Sequence, residues 1–450
     1  MTVRLRKAAG HGILVCHMRN TITHPGAANL VYEIREIVEV AKRMEKLGLA
    51  ITWENIGDPV AKGEEVAPWI REYVAAAVSE SASYAYSPTK GLQSAREYIA
   101  KERNLEGGIT ISPEDILFFN GLGDAITKVY KGLHPNVRVI GPNPAYPTHS
   151  SAEAAHADRP HITYSLDPHN GWQPDLEEME EKIHDHPEIS GILIVNPDNP
   201  TGYVYPQEVM REIVAIAKRH DLFIISDEIY SNLAYGTEHK KLASVIGDVP
   251  GIAMRGISKE FPWPGGRCGW MEFYNRDKDA DFDIYAKSLL DTKMLEVCST
   301  TLPQQVLPQV MADSRYYPML EERKKKYAKR AQRAVEVLGA IPGVIIHMPS
   351  GAFYMTLVFD EGILSDTQTL PIENAEIARL VDTLTAAELP RDKRFVYYLL
   401  GSTGLCTVPL TSGFNSSFDG IRFTLLEEDD ARYERTLMTL RDAIISYISA

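Results

Sequence analysis

Short apolar segments alternate with amphipathic stretches through the middle of the chain, from about residue 95 to residue 260. The apolar segments have the length and the β-rich character of strands, and they cover residues 116–119, 137–140, 192–195, 222–225 and 252–254. Strands that are apolar along their whole length are typical of a parallel sheet with helices on both faces. The pattern therefore predicts an α/β fold built from βαβ units.

Helical patterns flank this region on both sides. Residues 27–47 place apolar side chains on one helical face and Gly48 follows as a stop, so we predict an amphipathic helix there. Pro318 opens a longer helical pattern. Its basic run, residues 323–326, is separate from the apolar face, and we expect that run to be a solvated face of the helix.

The pattern changes again after Gly339. The chain continues with strand-like runs at 344–347 and 352–359, a loop-like insertion at 361–372 and a final helix at about 428–448. This mixture predicts a second, smaller α/β lobe.

The composition is that of an ordinary folded protein, with 44% apolar and 24% charged residues. Lys and Arg total 47 against 61 Asp and Glu, and the net charge of −14 argues against nucleic acid or an anionic membrane surface as the main partner. No apolar run approaches the roughly eighteen residues that span a bilayer. The run at 13–16 is too short for the core of a signal peptide, so we expect a cytoplasmic protein.

The cysteines and histidines do not form a familiar metal-binding pattern. The four cysteines lie far apart without a C-x-x-C pair, which predicts neither a disulfide framework nor a zinc site: Cys16, Cys268, Cys298 and Cys406. His184 and His186 flank Asp185 just before Pro187, a position more typical of an exposed turn than of a metal site. We therefore predict no bound metal.

Ligands of an open parallel sheet bind beyond the carboxyl ends of its strands, so the residues that follow each predicted strand are candidates for chemistry. Gly121, Leu122 and Gly123 form a glycine-rich turn whose amides can hold a phosphate, although a plain tight turn is the alternative. Tyr146 stands between two prolines, where a flat ring can stack on it; a packed loop tyrosine is the alternative.

Three later strands are followed by polar residues of unusual kinds. Asn199 lies in a double Asn-Pro turn, and Asp227 and Tyr230 follow the next strand, where Asp227 could instead cap a helix. Lys259 comes directly after a core strand, where its ammonium must be desolvated or paired; such lysines suit Schiff-base chemistry. Arg267 offers a fork that fits a phosphate.

Together these side chains suit one cofactor, pyridoxal 5′-phosphate. They can meet each of its groups: the amides of 121–123 and Arg267 the phosphate, Tyr146 the ring face, Asp227 the ring nitrogen, Asn199 and Tyr230 the ring hydroxyl, and Lys259 the aldehyde.

At these motifs the sequence resembles the class I/II aminotransferases, the fold type I family of pyridoxal-phosphate enzymes. The resemblance runs from about residue 27 to the C-terminus and is most specific in Asn196–Gly202, Asp227–Tyr230, and Ser258-Lys259 followed by Gly266–Trp270. It implies a large cofactor-binding domain at 66–315 with a mainly parallel, seven-stranded sheet. It also implies a smaller domain made of 1–65 and 316–450.

The resemblance assigns roles to individual residues. Lys259 forms the Schiff base with the cofactor, with Ser258 beside it as a cofactor contact, and Asp227 keeps the pyridine nitrogen protonated. Tyr230 joins these two as a catalytic residue. Tyr86 is similar to the tyrosine that reaches the phosphate in the neighbouring subunit, which implies a homodimer with shared active sites.

Substrate contacts are also implied by the resemblance. Arg422 is similar to the arginine that binds the substrate α-carboxylate, with the backbone of Gly57 and the side chain of Asn199 beside it; a surface arginine on a strand is the alternative for Arg422. We find no second arginine that can be assigned to a side-chain carboxylate.

The sequence departs from the family at two positions. Gly256 and Gly123 stand where the family often has a serine or threonine that bonds the phosphate. Phosphate binding then relies on backbone amides and on Arg267, and Arg255 is a further candidate.

The implied activity is amino-group transfer between an L-amino acid and a 2-oxo acid, with 2-oxoglutarate and glutamate or pyruvate and alanine as substrates. Segments 84–91 and 404–409 look most like those of the alanine and aspartate aminotransferases, slightly more like the former. A lyase or decarboxylase that uses the same cofactor is one alternative, and a non-catalytic regulator that binds it is another.

Overall fold

The computed structural model describes residues 22–30 and 33–450. Cys16 and the apolar run at 13–16 lie outside these ranges. The chain forms fourteen strands in this part: β1 Thr52–Trp53, β2 Ile116–Phe119, β3 Arg138–Asn143, β4 Thr163–Asp167, β5 Gln173–Pro174, β6 Ile189–Val195, β7 Phe223–Asp227, β8 Gly251–Gly256, β9 Gly269–Tyr274, β10 Val344–Ile346, β11 Tyr354–Phe359, β12 Leu405–Cys406, β13 Val408–Pro409 and β14 Gly420–Thr424.

The described residues also form fifteen α-helices. They are α1 Glu33–Lys46, α2 Pro68–Val78, α3 Gln93–Leu105, α4 Leu122–Gly132, α5 Pro147–Ala157, α6 Leu176–Asp185, α7 Gln207–Arg219, α8 Ile257–Glu260, α9 Ala280–Met294, α10 Thr301–Ala312, α11 Tyr316–Leu338, α12 Ala375–Leu384, α13 Arg391–Thr403, α14 Leu410–Phe414 and α15 Asp430–Ile448. None of the helices in the described ranges is both long and apolar enough to cross a membrane.

The large sheet confirms the predicted α/β architecture. Its order is β2-β9-β8-β7-β6-β3-β4-β5. The neighbours from β8 to β4 run parallel, and β9, which lies between β2 and β8, runs antiparallel to both. The sheet has eight strands rather than the expected seven, because the two-residue strand β5 adds an antiparallel edge.

Both faces of this sheet are buried, as its apolar strands predict. Along β6, Leu193 and Val195 pack into one core with α4 and α9, while Ile192 and Ile194 pack into a second, larger core on the other face. Because side chains alternate along a strand, the sheet forms a layer between two cores. Ligands can therefore reach it at the strand ends.

Smaller sheets form from the remaining strands. β10, β11, β14 and β13 make a four-stranded antiparallel sheet, and β1 pairs in parallel with β12. Strands from near both ends of the described chain therefore pair with each other. The domain boundaries at 65/66 and 315/316 stay predictions.

The predicted N-terminal helix begins later than expected. Residues Pro25–Asn29 form a 3₁₀ helix, and Leu30, an apolar residue within the predicted helix at 27–47, is 64% exposed. The α-helix proper begins at Glu33 and buries Ile37, Ala41 and Met44. A proline at the first position and a side-chain cap from His24 favour a separate short turn ahead of it.

Candidate functional site

One edge of the large sheet collects the predicted site residues. Strands β2, β3, β6, β7 and β8 all point their carboxyl ends to this edge. At this edge, β2 is followed by the glycine turn, β3 by the Tyr146 loop and β6 by the Asn199 turn. Asp227 is the last residue of β7, and β8 is followed by the helix of Lys259. The geometry expected from the parallel pattern is therefore present.

Lys259 lies on α8, a helix of four residues that follows β8 directly. Its Nζ donates a 2.6 Å hydrogen bond to the carbonyl oxygen of Gly57 and lies 5.9 Å and 5.6 Å from the ring centroids of Tyr230 and Phe353. Burial lowers the pKa of the Lys259 ammonium to about 8, an effect that Asp58 opposes. The neutral, nucleophilic amine is therefore more accessible here than at an ordinary lysine.

Asp227 closes β7 and is 2% exposed. One carboxylate oxygen accepts from the amide of Ile229 at 3.1 Å, and the other lies 3.1 Å from Nε2 of His149. The interpretation of Asp227 as a helix N-cap is wrong, because no helix begins at this position; the next 3₁₀ turn starts at Ser231.

His149 is a residue that the sequence pattern did not single out. It lies on α5 with no exposed surface, and its Nδ1 is 3.1 Å from the hydroxyl of Tyr130. Since a carboxylate only accepts hydrogen bonds, His149 donates from Nε2 to Asp227. The histidine thereby fixes the orientation of the carboxylate that faces the ligand edge.

The glycine turn and Arg267 form an anion cradle. Gly121 has a φ of 80° ahead of α4, so Leu122 and Gly123 lie in the first helical turn, where amides lack carbonyl partners inside the helix. Arg267 donates to the carbonyl oxygen of Asn120 at 3.3 Å, and a Cβ added to Gly121 would lie 2.4 Å from its Nη2. A Cβ added to Gly123 would meet nothing within 4 Å, so the cradle has open space.

Close packing of two strands accounts for Gly256, one of the two departures from the family. A side chain at Gly256 would place its Cβ 2.9 Å from the carbonyl oxygen of Cys268, so β8 and β9 are too close there for a hydroxyl-bearing residue. The structure does not bring Arg255 to the cradle. Its guanidinium lies over the Trp270 ring at 5.6 Å and 3.8 Å from Glu272 in a separate buried ion cluster.

Arg422 lies on β14 and is 2% exposed, so its interpretation as a surface arginine is wrong. Its Nη1 lies 3.5 Å from the side-chain oxygen of Asn199, and its Nη2 donates to the carbonyl oxygen of Asn55. The guanidinium packs over the rings of Tyr354 at 4.5 Å and Phe414 at 5.2 Å. Aromatic faces on both contacts keep a guanidinium fork oriented for a carboxylate.

Tyr354 connects the two sides of the site and was also missed. Its hydroxyl lies 2.9 Å from the hydroxyl of Tyr230, while its ring contacts Arg422. A Cβ at Gly57 would lie 2.1 Å from the Tyr354 hydroxyl, which explains the glycine at this position. Tyr230, Tyr354, Gly57 and Arg422 are therefore one contiguous group.

The remaining predicted contacts differ in their surroundings. Tyr146 precedes α5, and its ring makes an edge contact with the ring of His149, the partner of Asp227, at a centroid distance of 6.2 Å. Ser258 lies on α8 next to Lys259. Tyr86 is 84% exposed, so the part of the chain described here does not cover it.

The basic run at 323–326 is not a solvated helix face throughout. Arg323 is only 5% exposed and donates to the carbonyl oxygen of Lys259 at 2.8 Å. The prediction failed because the three lysines that follow Arg323 gave the whole run the appearance of a surface stripe, whereas α11 turns its first member inward.

Within residues 22–30 and 33–450, no three His, Cys, Asp or Glu side chains are placed to hold a metal ion. His184 lies in the last turn of α6 and His186 follows the helix directly, whereas the sequence pattern placed both in an exposed turn.

The donor set fits pyridoxal 5′-phosphate. It combines helix-start amides and a guanidinium for a dianion, a buried carboxylate for a ring nitrogen and a lysine amine of lowered pKa for an aldehyde. The open space beside Gly123 leaves room for the phosphate at the cradle.

Comparison with known proteins gives consistent results. A family model described as aminotransferase class I and II matches residues 55–413. An uncharacterised aminotransferase of Methanocaldococcus jannaschii is 51% identical over 432 residues, which cover 96% of this chain and 100% of that protein. The glutamate-pyruvate aminotransferase AlaA of Escherichia coli K12 is 31% identical over 330 residues, which cover 73% and 80%.

Solved structures agree with the sequence matches. The crystal structure of an aminotransferase from Escherichia coli superposes with a TM-score of 0.82 at 27% identity and covers 96% of this chain and 99% of that one. The alanine aminotransferase of Pyrococcus furiosus shares the fold, with a TM-score of 0.82 at 24% identity and coverage of 95% and 100%.

Proposed function

The chain belongs to the class I and II aminotransferases, enzymes that use pyridoxal 5′-phosphate to transfer amino groups, and from this we propose that it exchanges the amino group between alanine and 2-oxoglutarate, forming pyruvate and glutamate. The single observation that carries the proposal is the group that joins Arg422, Asn199 and Tyr230 beside Lys259. It offers a carboxylate receptor next to an amine, as an α-amino acid requires. The relative from Escherichia coli bears the name of this reaction.

The charge pairing of the buried arginines supports a donor with a small side chain. Six buried arginines of the described chain form ion pairs with carboxylates: Arg96, Arg103, Arg138, Arg255, Arg323 and Arg330. These six guanidinium groups of the described residues are therefore not available for a side-chain carboxylate of the substrate, which supports alanine over aspartate as donor.

Pyridoxal 5′-phosphate, when bound, supplies an aldehyde for the substrate amine and an electron-withdrawing ring for the pair of electrons left at Cα. Arg422 and the backbone of Gly57 hold the substrate α-carboxylate. Lys259 takes the proton from Cα as general base and delivers it again as general acid, for which a pKa of about 8 is well suited. Asp227 keeps the ring nitrogen protonated, with His149 holding the carboxylate in place.

The proposal is tested by single half-reactions of the purified holoenzyme. We expect alanine and glutamate each to convert the absorbance of the bound cofactor to that of its aminated form, and pyruvate and 2-oxoglutarate each to restore it. Aspartate and an aromatic amino acid serve as comparison donors. Faster conversion by either of these than by alanine would contradict the substrate assignment, and no conversion by any donor would contradict transamination itself.

We further propose a homodimer in which Tyr86 of each subunit completes the phosphate site of the other. Tyr86, Leu295 and Val297 are 84%, 89% and 51% exposed, and the hydroxyl of Thr89 donates to the Val297 carbonyl, which places the two segments side by side. Apolar side chains gathered in this way favour a partner surface.

A cytoplasmic location stays a prediction that fractionation of the source cells can check.

A further inference from the structure

Helix α8, which carries Lys259, ends abruptly. Phe261 donates its amide to the Ile257 carbonyl at 3.1 Å, but Pro262 has no N–H and cannot continue the helix. The carbonyl groups at the end of α8 therefore need donors from outside the helix.

Arg323 supplies these donors. From α11, its Nη1 donates to the carbonyl oxygens of both Lys259, at 2.8 Å, and Glu260, at 3.1 Å. Its Nη2 donates to the Tyr327 hydroxyl at 3.1 Å and to a carboxylate oxygen of Glu64 at 3.3 Å. The guanidinium thus uses its forked shape to hold three different elements at once.

The carboxylate partner extends this contact to the other side of the lysine. Glu64 lies in the same loop as Gly57, between β1 and α2, and the Gly57 carbonyl accepts from Nζ of Lys259. The loop is stiffened by Lys62, whose Nζ bonds the Glu54 carboxylate and the Trp53 carbonyl, each at 2.9 Å. Arg323 therefore fixes the Lys259 backbone relative to the loop that faces its side-chain amine.

We propose that Arg323 is a positioning residue for the transamination proposed above, on which this inference rests: it holds the backbone of Lys259 in register with the Gly57 loop, so that the amine reaches both the cofactor and the substrate Cα. The lysine side chain is long and flexible, and a helix of only four residues holds the Lys259 backbone weakly. Displacements of about 1 Å at a reacting group can cost roughly 10²-fold in rate.

Its action is positional because its charge is balanced. Arg323 pairs with Glu64, and both groups are buried. The charges that act most strongly on the Lys259 pKa are instead those of Asp58, Arg422, Asp227 and Arg267. Loss of Arg323 therefore affects the amine by letting it move among these groups.

Arg330 provides a matched control on the same helix. It is 3% exposed, donates to the carbonyl oxygens of Leu425 at 3.1 Å and Glu428 at 3.3 Å, and pairs with Asp430. Its bonds are of the same kind as those of Arg323, but they hold Leu425, Glu428 and Asp430 and not the backbone of Lys259. A change that merely loosens α11 should appear in both positions.

The experiment compares Arg323→Gln, Arg323→Lys and Arg330→Gln as holoenzymes. Three quantities are measured: thermal unfolding, the pH midpoint at which the bound cofactor's absorbance titrates, and kcat and KM for the amino donor. For Arg323→Gln we expect kcat to fall about 10- to 100-fold while KM changes less than about threefold. The absorbance midpoint should move by roughly half a pH unit or more, and Arg323→Lys should recover part of both losses.

We expect Arg330→Gln and Arg323→Gln both to unfold at a lower temperature than the wild type, but Arg330→Gln should keep the wild-type midpoint and kcat. A wild-type midpoint and kcat in Arg323→Gln would overturn the inference, as would equal changes in Arg330→Gln. If Arg323→Gln does not fold, Arg323→Lys decides by the same criteria, since it keeps the charge and loses the fork. Failure of the wild-type enzyme to transaminate would contradict the proposed function. The pH midpoint of the cofactor absorbance does not depend on turnover, so it tests the positioning role of Arg323 independently.

Discussion

At the scale of single residues, Lys259 is half-buried, and its amine of lowered pKa donates a hydrogen bond to the Gly57 carbonyl. Replacement of Lys259 by alanine removes the proposed base, and we expect turnover to fall by roughly 10²–10⁴-fold or more. The cofactor should still be retained through Arg267 and the α4 amides, which its absorbance after gel filtration measures. Lys182→Ala, remote on α6, is the control; an undiminished rate in Lys259→Ala would refute the assignment.

Asp198 is a second residue with a strongly shifted pKa, since complete burial raises it to about 7. In the folded chain the carboxyl stays protonated as the pH rises from about 4 to 7, whereas in the unfolded chain it ionises near 4. The free energy of unfolding therefore decreases across this range because of Asp198, and the cost is complete above pH 7.

Asp198→Asn should remove this cost. We expect the variant's gain in unfolding temperature over wild type to be larger at pH 8 than at pH 5, with a free-energy difference of up to roughly 2–4 kcal/mol. Thr201 can still donate to the amide oxygen that replaces the carboxylate. The exposed Asp185→Asn should show no such trend, and a gain independent of pH would contradict the assignment to Asp198.

At the scale of elements, the close packing of β8 and β9 accounts for Gly256. Gly256→Ser would place a Cβ 2.9 Å from the Cys268 carbonyl oxygen, so the strands must separate; we expect a loss of about 1–3 kcal/mol in unfolding free energy. Gly123→Ser, in open space on the first turn of α4, should keep the stability and slow the loss of cofactor on dialysis. Equal stability of the two variants would show that the strand contact is not limiting.

Sequence patterns predicted the elements that depend on local order. Five strands of the large sheet were found from their apolar runs, namely β2, β3, β6, β7 and β8, whereas β4, β5 and β9 were missed. Lys259, Asp227 and Asn199 were found because they follow predicted strands. The sequence missed His149 and Arg323, whose roles depend on contacts with Asp227 and Lys259 in other elements. Nothing in the period of α5 or α11 distinguishes a buried polar residue that meets a distant partner from one that faces solvent.

At the scale of the whole molecule, the proposed dimer predicts complementation between two inactive variants. In the proposed dimer, each site takes Lys259 from one subunit and Tyr86 from the other. Lys259→Ala removes the first contribution and Tyr86→Phe the second. When the two variants are mixed and allowed to exchange subunits, hybrids gain one site with both native residues, so activity should rise above that of either parent. Size-exclusion chromatography checks that dimers persist, and no rise on mixing would contradict shared sites.

The parallel pairing of β1 with β12 also determines when different parts of the chain can fold during synthesis. All strands of the large sheet lie between residues 116 and 274, so they have left the ribosome long before β12 at Leu405–Cys406. Among the described residues β1 pairs with β12 alone, so it has no strand partner until then. The Gly57 loop that follows β1 therefore lacks this strand pairing on the nascent chain and gains it only when synthesis is nearly complete.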